Sequence, residues 1–200
     1  TSGRPDFLKV YLVHSEDDDD ATGQSGQSPR RSGLHPRLVS QIVAKAHAAG
    51  LQVTAHVETA ADFRQAVRAG VDELAHVPGW LVASAADVES ARLTEADARL
   101  ALERHVRVVT TAVAGIAMPS VAGHHLHGHH EEHATRPADH HATAPDESWL
   151  QVLKDNIALL HHVGVRVVVG SDHAETSLAE VMQLHRFHLF DNLTLLKMWC

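Results

Sequence analysis

The sequence has little of the material that several classes of protein require. Its single cysteine, Cys200, is the last of 200 residues, so no internal disulfide can form and a disulfide-stabilised scaffold is excluded. Its 17 lysines and arginines are outnumbered by 25 acidic residues, and a formal charge of −8 gives no overall positive field to attract nucleic acid or an anionic membrane. No apolar run approaches the ~20 residues of a transmembrane helix, and the first residues lack the pattern of a signal peptide. We therefore expect a soluble protein that binds neither nucleic acid nor membrane; its compartment and oligomeric state are left open.

What the sequence has in excess is histidine. There are 19, and eight of them crowd into one tract: His124, His125, His127, His129, His130, His133, His140 and His141. The tract follows a predicted strand and has no regular element of its own, so we expect residues 113–146 to be a His-rich loop insertion. The remaining composition, 44% hydrophobic and 21% charged, is typical of one ordinary globular domain.

Two segments 20 residues apart repeat the pattern A-G-x-x-x-x-A-H, at 49–56 and 69–76. Each follows a stretch with helical apolar spacing, 38–48 and 61–68, and the glycine suits the position just after a helix, where φ is positive. The residues after each glycine are typical of a short strand that ends at a histidine. The repeat therefore predicts two successive helix-strand units.

A third unit has the same form but ends in an aspartate. A helical stripe of apolar residues from Trp149 to Leu160 is stopped by Gly164, and the β-branched strand 165–169 runs on towards Asp172. Two more strands are predicted at 7–13 and 106–111, and helix starts are indicated by two capping boxes, Thr59-x-x-Asp62 and Thr94-x-x-Asp97. Strands that alternate with helices form parallel βαβ units, so the expected fold is α/β.

The faces of the strands favour a partial TIM-like (β/α)8 barrel. Polar and apolar side chains alternate along 51–56, as expected when apolar residues meet an outer helix layer and polar ones point inwards. An open doubly wound sheet is the alternative, although no G-x-G-x-x-G or Walker motif supports a nucleotide site. In both folds, ligands bind where the strands end.

Three of the predicted strands end in residues that bind metals, namely His56, His76 and Asp172. Metal-assisted hydrolysis needs neutral imidazoles or carboxylates that converge from a rigid scaffold. Lys9 lies on the polar side of the first strand, where burial of an ammonium is costly unless it is paired or neutralised. Either a salt bridge to a loop acid such as Glu16 or conversion to a carbamate held by two cations would offset that cost.

The strings that carry these residues, DFLKVYLVHSE, HAAGLQVTAHVETAADFRQAVRAGVDELAHVPG and VRVVVGSDHAE, resemble the amidohydrolase superfamily, particularly its imidazolonepropionase-like and Xaa-Pro dipeptidase-like branches. The resemblance implies that Lys9 is the carboxylated, metal-bridging lysine of the fourth barrel strand. By the same resemblance, His56 and His76 are metal-binding histidines of the fifth and sixth strands. Asp172 is then the eighth-strand aspartate, which touches metal and takes the proton of the attacking water.

The sequence also departs from that family. Its members carry a His-x-His pair on the first strand and a small β-sandwich, and neither is recognisable here. A complete barrel takes about 250 residues, whereas only strands equivalent to the fourth through eighth can be identified. We therefore expect residues 1–200 to be the C-terminal portion of a longer hydrolase barrel.

Other signals are weaker. Residues 129–133 match the metalloprotease pattern H-x-x-E-H, but Gly128 and the surrounding histidines favour a chance match. The tract is either a solvated insertion or a segment that binds metal opportunistically. The acidic run 16–20 is typical of a hydrated loop. Four further residues near strand ends could touch substrate or pair locally: His14, Glu58, His173 and Glu175.

The expected function is that of a metal-dependent hydrolase with one or two divalent ions, Zn being the favoured metal. A metal-activated hydroxide would attack an amide or cyclic amide C–N bond of a small-molecule substrate. A lactonase or esterase using the same site is one alternative. A non-enzymatic His-rich metal-binding protein is the other.

Overall fold

Strands and helices alternate along the chain. The computed structural model describes residues 5–13, 32–80, 88–113, 148–172 and 176–200. Within these ranges the strands are β1 (Phe7–Val13), β2 (Ser32–Gly33), β3 (Gln52–His56), β4 (Glu73–Ala75), β5 (Arg107–Val109) and β6 (Arg166–Val168). The α-helices are α1 (Pro36–Ala48), α2 (Ala60–Ala69), α3 (Glu95–Glu103), α4 (Ser148–Val163), α5 (Ser177–Arg186) and α6 (Asn192–Trp199), and a 3-10 helix covers Glu89–Ala91.

The strands form one sheet in the order β2-β1-β3-β4-β5-β6. All strands except β2 are parallel, and each pairs with the next parallel strand along the chain. A doubly wound sheet would reverse its strand order at a switch point. The unreversed order is that of a (β/α) barrel, and it confirms the predicted α/β fold.

Local sequence sets the helix boundaries as expected. Thr59 and Thr94 both form complete capping boxes with the aspartate three residues on, so α2 and α3 begin directly after them. Three glycines that follow helices have positive φ: Gly50 at 72°, Gly70 at 88° and Gly164 at 98°. The helix-strand units predicted from the repeat are therefore present.

The core lies between the sheet and the helices, because each strand turns alternate apolar residues towards them. In β1, Val10 and Leu12 are buried whereas Phe7, Lys9 and Tyr11 are exposed, as the alternation of faces predicts. Leu8, which is predicted to share the apolar face, is exposed, and Val13 on the other face is buried. The core members contributed by helices include Val39, Val43, Phe63, Val67, Ala98, Leu153, Ile157 and Leu160.

Two features differ from the sequence-based expectation. β2 was not predicted from the sequence, and it pairs antiparallel with Leu12 and Val13. β5 and β6 are also shorter than the predicted strands 106–111 and 165–169. Beyond both strands the two segments are still joined by hydrogen bonds from Thr110 N to Val168 O and from Thr111 N to Gly170 O.

Within the described ranges the sheet is open at both sides. The outer edge of β1 pairs with β2 at Leu12 and Val13, and β6 pairs with β5. The first part of β1 therefore presents one edge to solvent.

Several predicted features lie outside the described residues. These are the acidic run 16–20, His14, His173, Glu175 and the His-rich insertion apart from Val113. None of the helices in the described ranges is long and apolar enough to cross a membrane.

Gly170, just after β6, is required by close packing. A Cβ at this position would clash with Val109 Cγ1, and Thr111 N donates to Gly170 O at 2.9 Å. We expect Gly170→Ala to lower the free energy of unfolding by about 1–3 kcal/mol, as overpacking does elsewhere. Chemical denaturation followed by circular dichroism measures this loss.

Val109→Ala provides the matched control, because it removes the methyl group in the way. The double variant should lose less stability than the sum of the two single variants. Strict additivity would show that the contact does not limit this position.

Candidate functional site

Polar residues from four strands meet on the side of the sheet where the parallel strands end, which is called this edge of the sheet below. β3 ends at His56, β4 is followed by His76, β5 by Thr111 and β6 by Asp172. Because the strands are parallel, these ends lie on the same side, as in other barrels. Lys9 and Tyr11 of β1 join them, since Tyr11 is in register with His56.

Asp172 links two of the predicted site residues. Its Oδ1 lies 3.7 Å from Lys9 Nζ, and its Oδ2 lies 3.3 Å from His76 Nε2. The side chains of Lys9 and Asp172 are 45% and 44% exposed. The structure therefore gathers Lys9, His76 and Asp172 around one carboxylate that is in contact with solvent.

The exposure of Lys9 differs from the expectation of a buried ammonium. Among the described residues its ion-pair partner is Asp172. Glu16, the loop acid considered from the sequence, lies outside the described residues. The open edge of β1 explains the difference, because no neighbouring strand covers Lys9 in the described part of the sheet.

His76 is fully buried and neutral. Desolvation lowers its pKa to about 2, and electrostatic interactions with His56 and Lys9 lower it further. The contact with Asp172 is therefore not a salt bridge, although the two atoms are within ion-pair distance. On the other side of the ring, Nδ1 lies 2.7 Å from Thr111 Oγ1.

The second ring nitrogen of His76 has no hydrogen-bond partner in the described part of the chain. A buried polar atom without a partner is uncommon and needs an explanation. Here a carboxylate oxygen faces it at 3.3 Å without hydrogen-bond geometry. A cation between the two groups would satisfy both, so the donor set of His76 and Asp172 fits a metal ion.

His56 is adjacent to His76 but turned to another partner. The two rings make an edge contact with centroids 4.5 Å apart, while His56 Nε2 lies 3.3 Å from Glu58 Oε1. Across the described ranges, no group of three or more His, Cys, Asp or Glu side chains is arranged to hold a metal ion. His56 is therefore near the predicted site without joining its donor set.

Glu58 and Tyr11 complete the surroundings of His56. Tyr11 stacks on the His56 ring with centroids 3.8 Å apart, and its hydroxyl donates to Glu58 Oε1 at 3.4 Å. Of the two interpretations for Glu58, the structure shows local pairing. Desolvation, together with the negative charge and the hydrogen bond of Glu58, raises the pKa of Tyr11 to about 12.

Trp80 covers the other histidine. Its ring stacks on His76 with centroids 4.1 Å apart, and its Nε1 donates to Val57 O at 3.2 Å. The stacked indole is part of the packing that encloses His76, and burial is the largest cause of its lowered pKa.

Backbone strain is concentrated at this edge of the sheet. Five non-glycine residues in the described ranges have positive φ, and three of them are His76 at 81°, Thr111 at 50° and Asp172 at 49°. Residues in such conformations persist where surrounding structure holds them, often at functional sites.

Sequence reasoning did not find Tyr11, Trp80, Thr111 or Glu180 as contributors to the site. Tyr11 and Thr111 could have been found, because both lie on or just after predicted strands. The signal for Trp80 is its place four residues after His76. Glu180 has no local signal, because its role depends on contacts made across 70 residues of chain.

Comparison with known proteins gives matches of structure alone. No family model matches the sequence, and no curated protein does so either. The crystal structure of A. niger ochratoxinase matches with a TM-score of 0.62 and 17% identity, over 96% of this chain and 37% of that one. A prolidase complexed with N-methylphosphonate-L-proline matches at 0.53 and 21% identity, over 96% and 40% of the two chains. A Xaa-Pro dipeptidase with methionine bound in its active site matches at 0.53 and 15% identity, over 91% and 39%.

The chain thus spans about two fifths of the length of these structures. Its fold is part of an amidohydrolase-like TIM barrel, with five parallel strands that alternate with helices. The predicted resemblance to amidohydrolases is confirmed at the level of the fold.

The pKa of Tyr11 can be measured directly, because the sequence contains one tyrosine. We expect its phenolate absorbance to appear with a midpoint near pH 12 in place of the usual 10. Circular dichroism at each pH confirms that the chain is still folded.

Glu58→Gln keeps the side-chain shape and removes the charge, so the midpoint should fall part of the way towards 10. Desolvation maintains the remainder of the shift. A wild-type midpoint near 10 in folded protein would contradict the packing of Tyr11 against His56.

Proposed function

We propose that this chain forms part of a metal-dependent hydrolase that cleaves an amide or cyclic amide C–N bond of a small molecule. One observation carries the proposal: the neutral, buried Nε2 of His76 faces Asp172 Oδ2 at 3.3 Å with no hydrogen bond to satisfy it. The amidohydrolase-like fold supports it, since ligands of such barrels bind where the strands end.

His76 and Asp172 would hold the metal ion. Imidazole nitrogen and carboxylate oxygen are both ligands of zinc, which makes Zn²⁺ the favoured cation. When bound, a divalent cation there would lower the pKa of a water molecule and polarise a carbonyl group. Burial keeps the His76 lone pair free of a proton at neutral pH.

Lys9 and His56, the two other predicted ligands, would contribute to the site in different ways. Lys9 Nζ is 3.7 Å from the Asp172 carboxylate, so a carbamate on Lys9 would add a further carboxylate beside the same group. Because Lys9 is half exposed, carbon dioxide can reach its amine. His56 would join only through its other ring nitrogen or by giving up Glu58.

Asp172 is suited to move a proton. Its carboxylate is in contact with solvent on one side and with His76 on the other, so it can accept a proton from a water molecule and pass it on. His76 has the opposite character, because it is enclosed and resists protonation. His76 would therefore act only as a metal ligand, whereas Asp172 would also act as the general base.

We also propose that residues 1–200 supply the C-terminal portion of the barrel, corresponding to its fourth through eighth strands. The open edges of β1 and β6 and the coverage of about two fifths of each matching structure support this assignment. The remaining strands would pair with those edges.

The ligand assignment is tested by zinc binding to the full-length protein. His76→Ala should weaken Zn²⁺ affinity beyond the about 10–100-fold loss that outer-shell changes cause. Competition with a chromogenic chelator measures the affinity. His162→Ala, an exposed histidine at the end of α4, is the matched control and should leave affinity unchanged.

Replacement of six tract histidines by serine distinguishes the metal-binding alternative: His124, His125, His127, His129, His130 and His133. Affinity close to wild type supports a site at the strand ends. Loss of all tightly bound zinc in this variant, with normal affinity in His76→Ala, would contradict the proposal and support a sequestering protein.

Asp172→Asn tests the proton transfer. The amide keeps the shape and one oxygen, so most zinc should stay bound, while kcat should fall by about 10²–10⁴ because the proton has no acceptor. Hydrolysis assays with dipeptides, N-acyl amino acids, cyclic amides and lactones report kcat. Unchanged kcat at equal zinc content would exclude Asp172 as the base, and turnover confined to lactones would favour the esterase alternative.

A further inference from the structure

A buried glutamate of α5 accepts hydrogen bonds from the chain segment that follows β5. Glu180 is fully buried, and within the described ranges its carboxyl group is not hydrogen-bonded to His76 or Asp172. Its oxygens accept hydrogen bonds from Thr110 Oγ1, from Ala112 N at 2.7 Å and from Val113 N at 2.8 Å. Burial raises the pKa of Glu180, and these three donors oppose the rise, so they offset part of the cost of enclosing a carboxyl group.

The three donors lie on both sides of Thr111. This residue has a φ of 50°, a conformation that a β-branched side chain rarely adopts. Its own N–H donates to Gly170 O at 2.9 Å. The segment after β5 is therefore fixed on one side by Glu180 and on the other by the segment that leads to Asp172.

Thr111 in turn contacts His76. Its Oγ1 lies 2.7 Å from His76 Nδ1. A neutral imidazole carries one N–H, so a proton held on Nδ1 by the threonine oxygen leaves Nε2 with a lone pair. That lone pair is on the side of the ring that faces Asp172.

We propose that Thr111 and Glu180 are positioning residues for His76. Thr111 fixes the ring orientation and its Nδ1–H tautomer, and Glu180 holds the backbone turn in which Thr111 can reach the ring. The inference rests on the proposed function in that His76 is taken as a metal ligand. The tautomer itself is a property of the chain without metal.

The test uses 15N-labelled histidine in the metal-free full-length protein. Long-range proton-nitrogen NMR spectra report which ring nitrogen carries the proton, and a His76→Asn variant identifies the His76 signal among those of the other histidines. Zn²⁺ affinity and the visible absorption of the Co²⁺-substituted protein are measured on the same variants. These readouts do not depend on turnover.

Thr111→Val keeps the β-branched shape and removes the hydroxyl group. We expect it to lose the Nδ1–H preference, to weaken Zn²⁺ binding about 10–100-fold, as loss of other outer-shell partners does, and to shift the Co²⁺ bands. Thr111→Ser retains the hydroxyl group and should stay close to wild type in all three readouts. Glu180→Gln should shift them in the same direction as Thr111→Val.

Asp97→Asn is the control for general destabilisation. Asp97 is also a buried carboxylate, and it accepts hydrogen bonds from Thr94 and Arg64. This variant should lower the melting temperature and leave the His76 tautomer, zinc affinity and Co²⁺ bands unchanged. A parallel change in those readouts would assign the Glu180→Gln effect to lost stability and overturn the role of Glu180.

The outcomes for the two proposals are separable. If Thr111→Val leaves the tautomer and zinc affinity unchanged while His76→Asn loses zinc, the positioning role is wrong and the ligand role stands. If His76→Asn retains full zinc affinity, the proposed function fails, and the tautomer in Thr111→Val still decides whether Thr111 orients the ring. If only Thr111→Val has an effect, Glu180 is not a positioning residue.

Discussion

Parallel pairing in register is the constraint on which this site depends. Residues that follow β3, β4, β5 and β6 are brought to one edge because each strand runs in the same direction and pairs with its neighbour. His56 and Asp172 are far apart in sequence, and no local interaction could bring them within a few ångströms of His76. A reversal of any one strand would move its terminal residue to the opposite edge.

Solvent then divides the site into two halves. His76, with Trp80 stacked on it, lies where water is excluded, and its imidazole stays neutral. Lys9 and Asp172 lie where water has access, so they can exchange protons with solvent. The buried Nε2 of His76 faces the exposed Oδ2 of Asp172 at 3.3 Å, and this pair of atoms is the basis of the proposed cation site.

Residues with positive φ include both members of this pair, His76 and Asp172. His76, Thr111 and Asp172 all follow strands of the sheet and have positive φ values. Gly170 permits the close approach of β5 and β6 that brings Thr111 to the segment before Asp172.

The sequence by itself determined the alternation of strands and helices, the capping boxes at Thr59 and Thr94, and the candidates Lys9, His56, His76 and Asp172. These follow from local chemistry, since apolar spacing, capping side chains and glycine conformations act over a few residues. Tertiary structure alone decided that Asp172 contacts both Lys9 and His76, that His56 turns to Glu58, and that Lys9 is exposed. It also decided the contacts of Thr111 and Glu180, because a hydrogen bond between residues 70 positions apart depends on how the strands and helices pack and leaves no periodic trace in the chain.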